Sequence, residues 1–293
     1  MQELAGQGNG PVFIVHAGAG NSKPQSDRMK RDTEVLLAIA RRGIKRLKSL
    51  SAVEFAAAML KVLEDEPSFN AGRGSALQGD GQARLSAALM DGHRQSFSGV
   101  ILASYIRNPS AIALRLQNET FRVLSGPGVE LMARKMGIKP QMPHTPARIQ
   151  AWLKNFENGK IDGFDTVGCV VRASSGRLAS GTSTGGRGNE IPGRVSDSAT
   201  IAGNYATSYA AISCTGIGEE IVDDAVAARI EARVRDGMSL IDASRKTYFE
   251  SSRLKRDYGW ISLDSKGGWA IGHVSPSMVY VVMQGDGKIL SKS

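Results

Sequence analysis
The sequence predicts an α+β fold in which helices lie outside packed β-sheets. Three observations carry this expectation. Short apolar runs such as PVFIV (11–15) and GVILASY (99–105) read as strands buried on both faces. Between them lie segments whose apolar residues recur at helical spacing. After residue 166 the chain turns to strand-length apolar runs joined by glycine turns, with helices between them.

The first apolar run ends in HAGAG (16–20), which reads as a turn after the strand. In the next segment Leu36, Ala40, Gly43 and Leu47 share one helix face, and Arg41, Arg42, Lys45, Arg46 and Lys48 occupy the other. Ser51 and Glu54 form a capping box for a second helix that buries Val53, Ala56, Ala57, Leu60 and Leu63 and stops before Pro67. FNAGRGSAL (69–77) is a loop punctuated by glycine. Pro109 opens one further helix, and another ends at Gly137. From 138 to 165 the periodicity dissolves around Pro140, Pro143 and Pro146, so this stretch reads as an exposed, mobile linker. TVGCVVRA and GRLASGTST then flank SSG as a hairpin. AAISCTG is a strand, GEEIVDDAVAARIEARVRDG reads as one helix, and Ser239 with Asp242 opens the last helix. A glycine-turn hairpin, GWISLDSKGGWAIG, and the run MVYVVMQGDG close the chain.

Composition bounds the function classes. Hydrophobic residues make up 41% of the 293 and charged residues 22%, as in a soluble globular protein with room for one large α/β domain. A formal net charge of +9 favours encounter with acidic molecules. Aromatic residues are only 6% and do not interleave with the basic helix face, so a nucleic-acid platform is not expected. No apolar run approaches the length of a membrane span, and the first residues lack the pattern of a secretory signal. Cys169 and Cys214 both sit in apolar runs and read as small buried hydrophobes. A cytoplasmic address follows.

HAGAG lacks the Lys-Ser/Thr of a phosphate-binding loop, and His16 at a strand end reads as a structural, hydrogen-bonded group. A stronger signal is a constellation. Thr166, Thr184 and Thr215 stand at strand ends, and Arg194 and Asp197 lie three residues apart between them. Arg194 offers a planar fork for a carboxylate, and Asp197 a counter-charge for an ammonium. Together they suit the head group of an α-amino acid. A threonine hydroxyl needs a base, and the sequence shows no Ser/His/Asp arrangement. An α-amino group, with a reference pKa of about 7.7–8.0, would serve if the chain were cut just before Thr166.

The pieces VHAGAG, LEDEPSFNAGRGSAL, SAALMDG, RNP, DTVGCVV, GTSTGG, PGRVSDS and SCTGIGEE occur in one order across most of the chain. This set resembles the plant-type asparaginase / isoaspartyl peptidase family of N-terminal-nucleophile (Ntn) threonine hydrolases. The resemblance implies a single Ntn-hydrolase domain over 1–293, folded as a four-layer αββα sandwich. It implies autoproteolysis between Asp165 and Thr166, giving an α subunit, 1–165, and a β subunit, 166–293. Thr166 would then be the nucleophile, with Thr184 hydrogen-bonded to it, Thr215 and Gly216 as the oxyanion hole, and Asn70 ordering the nucleophile. Arg194 and Asp197, with Gly218 beside them, would hold the substrate. No cofactor is implied for catalysis. A structural sodium ion is implied at the loop carrying Leu63, Glu64, Glu66, Phe69, Ala71 and Arg73, through backbone carbonyls. The implied substrates are β-aspartyl dipeptides and asparagine, and the implied assembly is a dimer of cleaved αβ units.

Some positions depart from the family pattern. Asp165 stands where glycine is common, Ala17 replaces a glycine, and Ser196 and Ala199 flank the clamp in place of glycine and proline. GHVSPSMVYVV, across 272–282, is the weakest match. A glycosylasparaginase-like amidase and an uncleaved, inactive homologue acting as a binding module are the alternative readings.

Overall fold
Buried runs and amphipathic helices sort into four layers in the computed structural model, which describes residues 3–8, 10–20, 26–158 and 166–292. The chain opens with β1 (Glu3–Gln7), β2 (Val12–Gly20), α1 (Asp27–Gly43), α2 (Ala52–Asp65), β3 (Leu85–Asp91) and β4 (Ser96–Ala103). Next come α3 (Pro109–Leu116), β5 (Val123–Ser125), α4 (Pro127–Lys135) and α5 (Pro146–Glu157). They are followed by β6 (Val167–Arg172), β7 (Leu178–Thr184), β8 (Asn204–Ala206), β9 (Ala210–Gly216), α6 (Gly218–Asp223), α7 (Val226–Arg235) and α8 (Leu240–Arg253). β10 (Tyr258–Asp264), β11 (Gly268–His273), β12 (Ser277–Gln284) and β13 (Ile289–Lys292) end the chain.

The strands form two sheets. One has the order β13-β12-β2-β6-β7-β3-β4-β5, and the other β1-β11-β10-β9-β8. Strand alternation explains the layering. In β2, Phe13 and Val15 point to a core shared with Leu36 of α1, Leu60 of α2 and Ile112 of α3. Val12 and Ile14 point the other way, against Ile261 and Ile271 of the second sheet. The outer face of that sheet, with Ile212 and Trp260, packs on Ile230 of α7 and Ala243 of α8. This is the αββα sandwich expected from the sequence.

Local signals translate directly. Ser51 and Glu54 close both arms of the capping box. Pro109 and Pro127 occupy first helical positions. β6 and β7 pair as an antiparallel hairpin, from Val167 opposite Ser183 to Arg172 opposite Leu178.

Three readings are corrected. HAGAG is no turn: β2 runs through it to Gly20, held between β6 and β12. Pairing of His16 with both neighbours and of Ala19 and Gly20 with β12 overrides the local preference of glycine, and only Gly18 has a positive φ there, at 120°. Ala17 lies in β2 at a register shift in the pairing with β12. The stretch after Gly218 is two helices, broken where Ala225 adopts φ 46°. The segment 138–165 was expected to be linker throughout, yet Pro146–Glu157 is a helix capped by the Thr145 hydroxyl. Proline at a first helical turn starts a helix, and Pro146 was misread as a breaker. Trp152 docks α5 beside Leu77, Ala83 and Leu85 and donates to the Gln78 carbonyl at 2.9 Å. Residues 159–165, which include Asp165, lie outside the described residues.

Candidate active site
The site gathers where the two sheets meet at the ends of β6, β7 and β9. Thr166 immediately precedes β6 and is 7% exposed. The hairpin register puts Val167 opposite Ser183, which brings Thr184 beside Thr166. The Thr166 hydroxyl donates to Thr184 Oγ1 at 3.2 Å, and the Gly186 N–H donates to the same oxygen at 3.1 Å. Thr182, two residues back, turns instead into the interior and pairs with Ser213 Oγ at 2.8 Å. The two threonines before the Gly-Gly pair thus separate into a site residue and a strand residue.

A pocket joins Thr166, Thr184 and Gly216 to Arg194, Asp197 and Gly218, with Gly186, Arg187 and Ser196 completing its wall. Gly218 makes the meeting of the two charged groups feasible. A Cβ there would stand 2.8 Å from Asp197 Oδ1 and 3.1 Å from Arg194 Nη2. Gly216 has φ 134° and packs against the Asp257 carbonyl and Tyr258 Cα. Neighbouring Thr215 is fully buried, and its Oγ1 accepts from the Ala19 N–H at 3.2 Å. That leaves the Thr215 hydroxyl proton available to donate. Asn70 lies beside Gly185 and Gly186, which follow β7. Its Nδ2 donates to the Gly186 carbonyl at 2.6 Å, and its Oδ1 accepts from the Ala76 N–H at 2.8 Å.

The charges in the pocket are unequal in their settings. Burial pushes the Asp197 carboxyl up to about 7, although the Arg194 charge pulls the other way. Its Oδ2 is a buried acceptor without a hydrogen-bond partner. That oxygen faces Gly203, and Oδ1, beside Gly218 and the Arg194 fork, is the one that an incoming ammonium would meet. Arg194 is gripped on two sides, by Glu219 and by Glu190.

The Thr166 hydroxyl bonds to Thr184, and among the described residues it makes no hydrogen bond to a carboxylate or imidazole. The nearest imidazole, His16, is fully buried, with Nε2 3.0 Å from Ser213 Oγ. Gly168 makes room for that contact, since a Cβ there would collide with both groups. Burial pushes His16 down to about 3, against a weaker opposing contact with the Thr166 backbone. Such a group stays neutral near pH 7 and is too weak a base to take a threonine proton. His16 is a structural, hydrogen-bonded histidine as expected, although it lies within β2 and not at a strand end.

All the sequence-predicted pocket residues but Thr215 line the pocket itself; Thr215 adjoins it from inside β9, and Asn70 supports it. The sequence reading missed Glu190, Glu219 and Arg187. Glu190 and Arg194 stand four apart with opposite charge, and Glu219 follows Gly218 directly, so both signals were present at short range.

The asparaginase family model matches residues 9–290. An isoaspartyl peptidase/L-asparaginase of Nostoc is 45% identical over 282 residues, covering 89% of this chain and 88% of that protein. A protein of the same name from Synechocystis is 40% identical, covering 92% and 86%. An isoaspartyl peptidase of Salmonella typhimurium is 33% identical, covering 92% and 94%.

Proposed function
The chain belongs to the asparaginase family, and from that premise we propose that it is an autoprocessed threonine amidohydrolase that releases aspartate from β-aspartyl dipeptides and asparagine. One observation carries the reading. The Thr166 hydroxyl, hydrogen-bonded to Thr184, shares a pocket with a carboxylate clamp, Arg194, and a buried counter-charge, Asp197.

In the first step the Thr166 Oγ1 attacks the carbonyl carbon of Asp165. The peptide nitrogen takes up the hydroxyl proton and leaves as the free α-amine of Thr166, giving an ester that water hydrolyses to the Asp165 carboxylate and the Thr166 hydroxyl. That amine is the base that the pocket lacked. In turnover it takes the hydroxyl proton while Oγ1 attacks the side-chain amide carbon of the bound aspartyl group. The Gly216 N–H and Thr215 O–H face the developing oxyanion. The amine returns its proton to the leaving nitrogen, and water then cleaves the acyl ester. Asp165 falls outside the described residues, so support for the cut comes from the residues C-terminal to it.

The Leu63–Arg73 loop suits the structural sodium ion that the family resemblance implies. Gly72 lets the Glu64 carbonyl approach, and Gly74 does the same for the Phe69 carbonyl, and backbone oxygens are the hard donors that sodium takes. The carbonyls of Leu63, Glu64, Glu66, Phe69, Ala71 and Arg73 would hold the ion, whose role is to stiffen the loop that carries Asn70. The Glu64 side chain is engaged elsewhere, accepting from Ser110 and Ser183.

We assign this activity to a dimer of cleaved αβ units in the cytoplasm. No helix among the described residues is long and apolar enough to cross a membrane. Both cysteines are buried free thiols, as in a reducing compartment. Sedimentation of the purified protein measures the assembly.

The test of the activity is aspartate release from β-aspartyl dipeptides, asparagine and glycosylated asparagine side by side. Release from the first two supports the reading, and release from the third alone contradicts it. A pH prediction follows from Asp197. Its carboxyl is protonated below about 7 in the free site, and only the ionised form attracts an ammonium. Aspartate affinity, read by calorimetry, should therefore weaken by about tenfold for each pH unit below that transition. Constant affinity from about pH 5.5 to 8 would show that Asp197 is not the titrating counter-charge.

A further inference from the structure
Arg194 makes three contacts before any substrate arrives. Its Nε and Nη2 donate to the two carboxylate oxygens of Glu219, at 2.6 and 2.8 Å. Its Nη1 donates to Glu190 Oε2 at 2.8 Å. A guanidinium has five N–H groups. Three are engaged, so one remains on each of Nη1 and Nη2. Glu219 takes the Nη2 hydrogen beside Nε, so the Nη2 hydrogen left over lies on the end edge of the fork, where a carboxylate would meet it. Two carboxylates on different edges fix the guanidinium plane, which Glu219 alone would leave held at one edge. On the Nη2 side the fork meets Asp197 across Gly218.

Glu190 is itself fixed. Its side chain is 5% exposed. Gln78 Nε2 donates to its Oε1 at 2.9 Å, and the Arg187 N–H donates to its Oε2 at 2.8 Å. Gln78 cannot swing away, because its Oε1 accepts from Arg84 Nη1 at 2.6 Å. Its backbone is held too, by the Trp152 indole of α5. A chain of hydrogen bonds thus runs from the segment before Thr166, through Gln78 and Glu190, to the end of Arg194.

We propose that Glu190, locked by Gln78, is a positioning residue that aims the free fork of Arg194 at the substrate α-carboxylate. This rests on the functional reading above and deepens it. It also means that the half of the chain before the cut holds part of the substrate clamp after cleavage. The link is polar and buried, and partners of this kind fix orientation at some cost in desolvation.

The prediction concerns binding, not the chemical step. Glu190→Gln removes the charge and sets an amide N–H against either Arg194 or Gln78, each already a donor. Autocleavage should proceed, because the clamp plays no part in it. KM for asparagine should rise by roughly tenfold, equivalent to about 1.4 kcal/mol, with kcat within about threefold. 3-Aminopropanamide, which lacks the α-carboxylate, should show an unchanged kcat/KM. Gln78→Met keeps the carbonyl that Trp152 uses and should raise KM in the same direction with kcat again preserved. Thermal midpoints and fragment masses of both variants are recorded alongside. Equal losses on asparagine and 3-aminopropanamide, or an unchanged KM in both variants, would overturn the assignment. A wild-type chain that hydrolyses neither asparagine nor β-aspartyl dipeptides overturns the functional reading itself and this inference with it, and that result appears before any variant is made.

Discussion

Thr166→Ala is expected to leave the protein as one full-length chain of 31.2 kDa and to abolish amidase activity. Removing the hydroxyl deletes the attacking atom of both reactions at once. Without the first attack no α-amine is released, so the base is lost as well. Loss of a nucleophile and its base together leaves only binding and oxyanion stabilisation, a drop of roughly 10⁴-fold or more. The fold should survive, because the hydroxyl makes a single hydrogen bond to Thr184 and Val167 carries the strand pairing. Thr166→Ser retains the hydroxyl and should still cleave. Intact mass and asparagine turnover measure both effects. Cleavage or turnover in the alanine variant would exclude Thr166 as nucleophile.

Thr215→Val should lower kcat by roughly 10²–10³-fold while KM changes little, as expected for loss of one oxyanion donor. Valine matches the shape of threonine and removes only the hydroxyl. The same change strips the buried Ala19 N–H of its acceptor, which costs about 1–3 kcal/mol of stability. The two effects are separable: circular dichroism reports the fold, and kcat reports the site. Thr215→Ser restores the donor and should recover most of the rate. A valine variant as fast as wild type would remove Thr215 from the oxyanion hole and leave Gly216 as the only assigned donor.

Much of this arrangement was legible at short range. Capping by Ser51 and Glu54, the hairpin at 166–184 and the alternation of β2 are decided within a few residues, where sequence pattern is informative. The spacing of Arg194 and Asp197 announced a zwitterion clamp for the same reason. What stayed hidden depends on partners far along the chain. HAGAG is strand because β12 pairs along it and β6 holds His16, partners that no local window contains. The helix α5 holds its place through Trp152 and Gln78, which are 74 residues apart. The low basicity of His16 comes from complete burial, which only the assembled sheets produce. Gly168 looked like one more glycine in a rich sequence, yet its missing Cβ is what lets His16 reach Ser213. Asp197 read as a plain counter-charge, and its raised affinity for a proton appears only once burial outweighs the Arg194 charge.

The charge balance of the pocket also changes how the clamp is understood. Sequence alone presented Arg194 as an open cation waiting for a carboxylate. In the fold it is already paired with Glu190 and Glu219, so selectivity rests on the direction of two remaining N–H groups more than on net charge.

The central claim is that Thr166 becomes a chain terminus. Intact mass and N-terminal sequencing of the purified wild-type protein test it most directly. The account predicts two fragments, the second beginning Thr-Val-Gly-Cys at residue 166. A single uncut chain that nonetheless turns over asparagine, or a new terminus at any other residue, would contradict it.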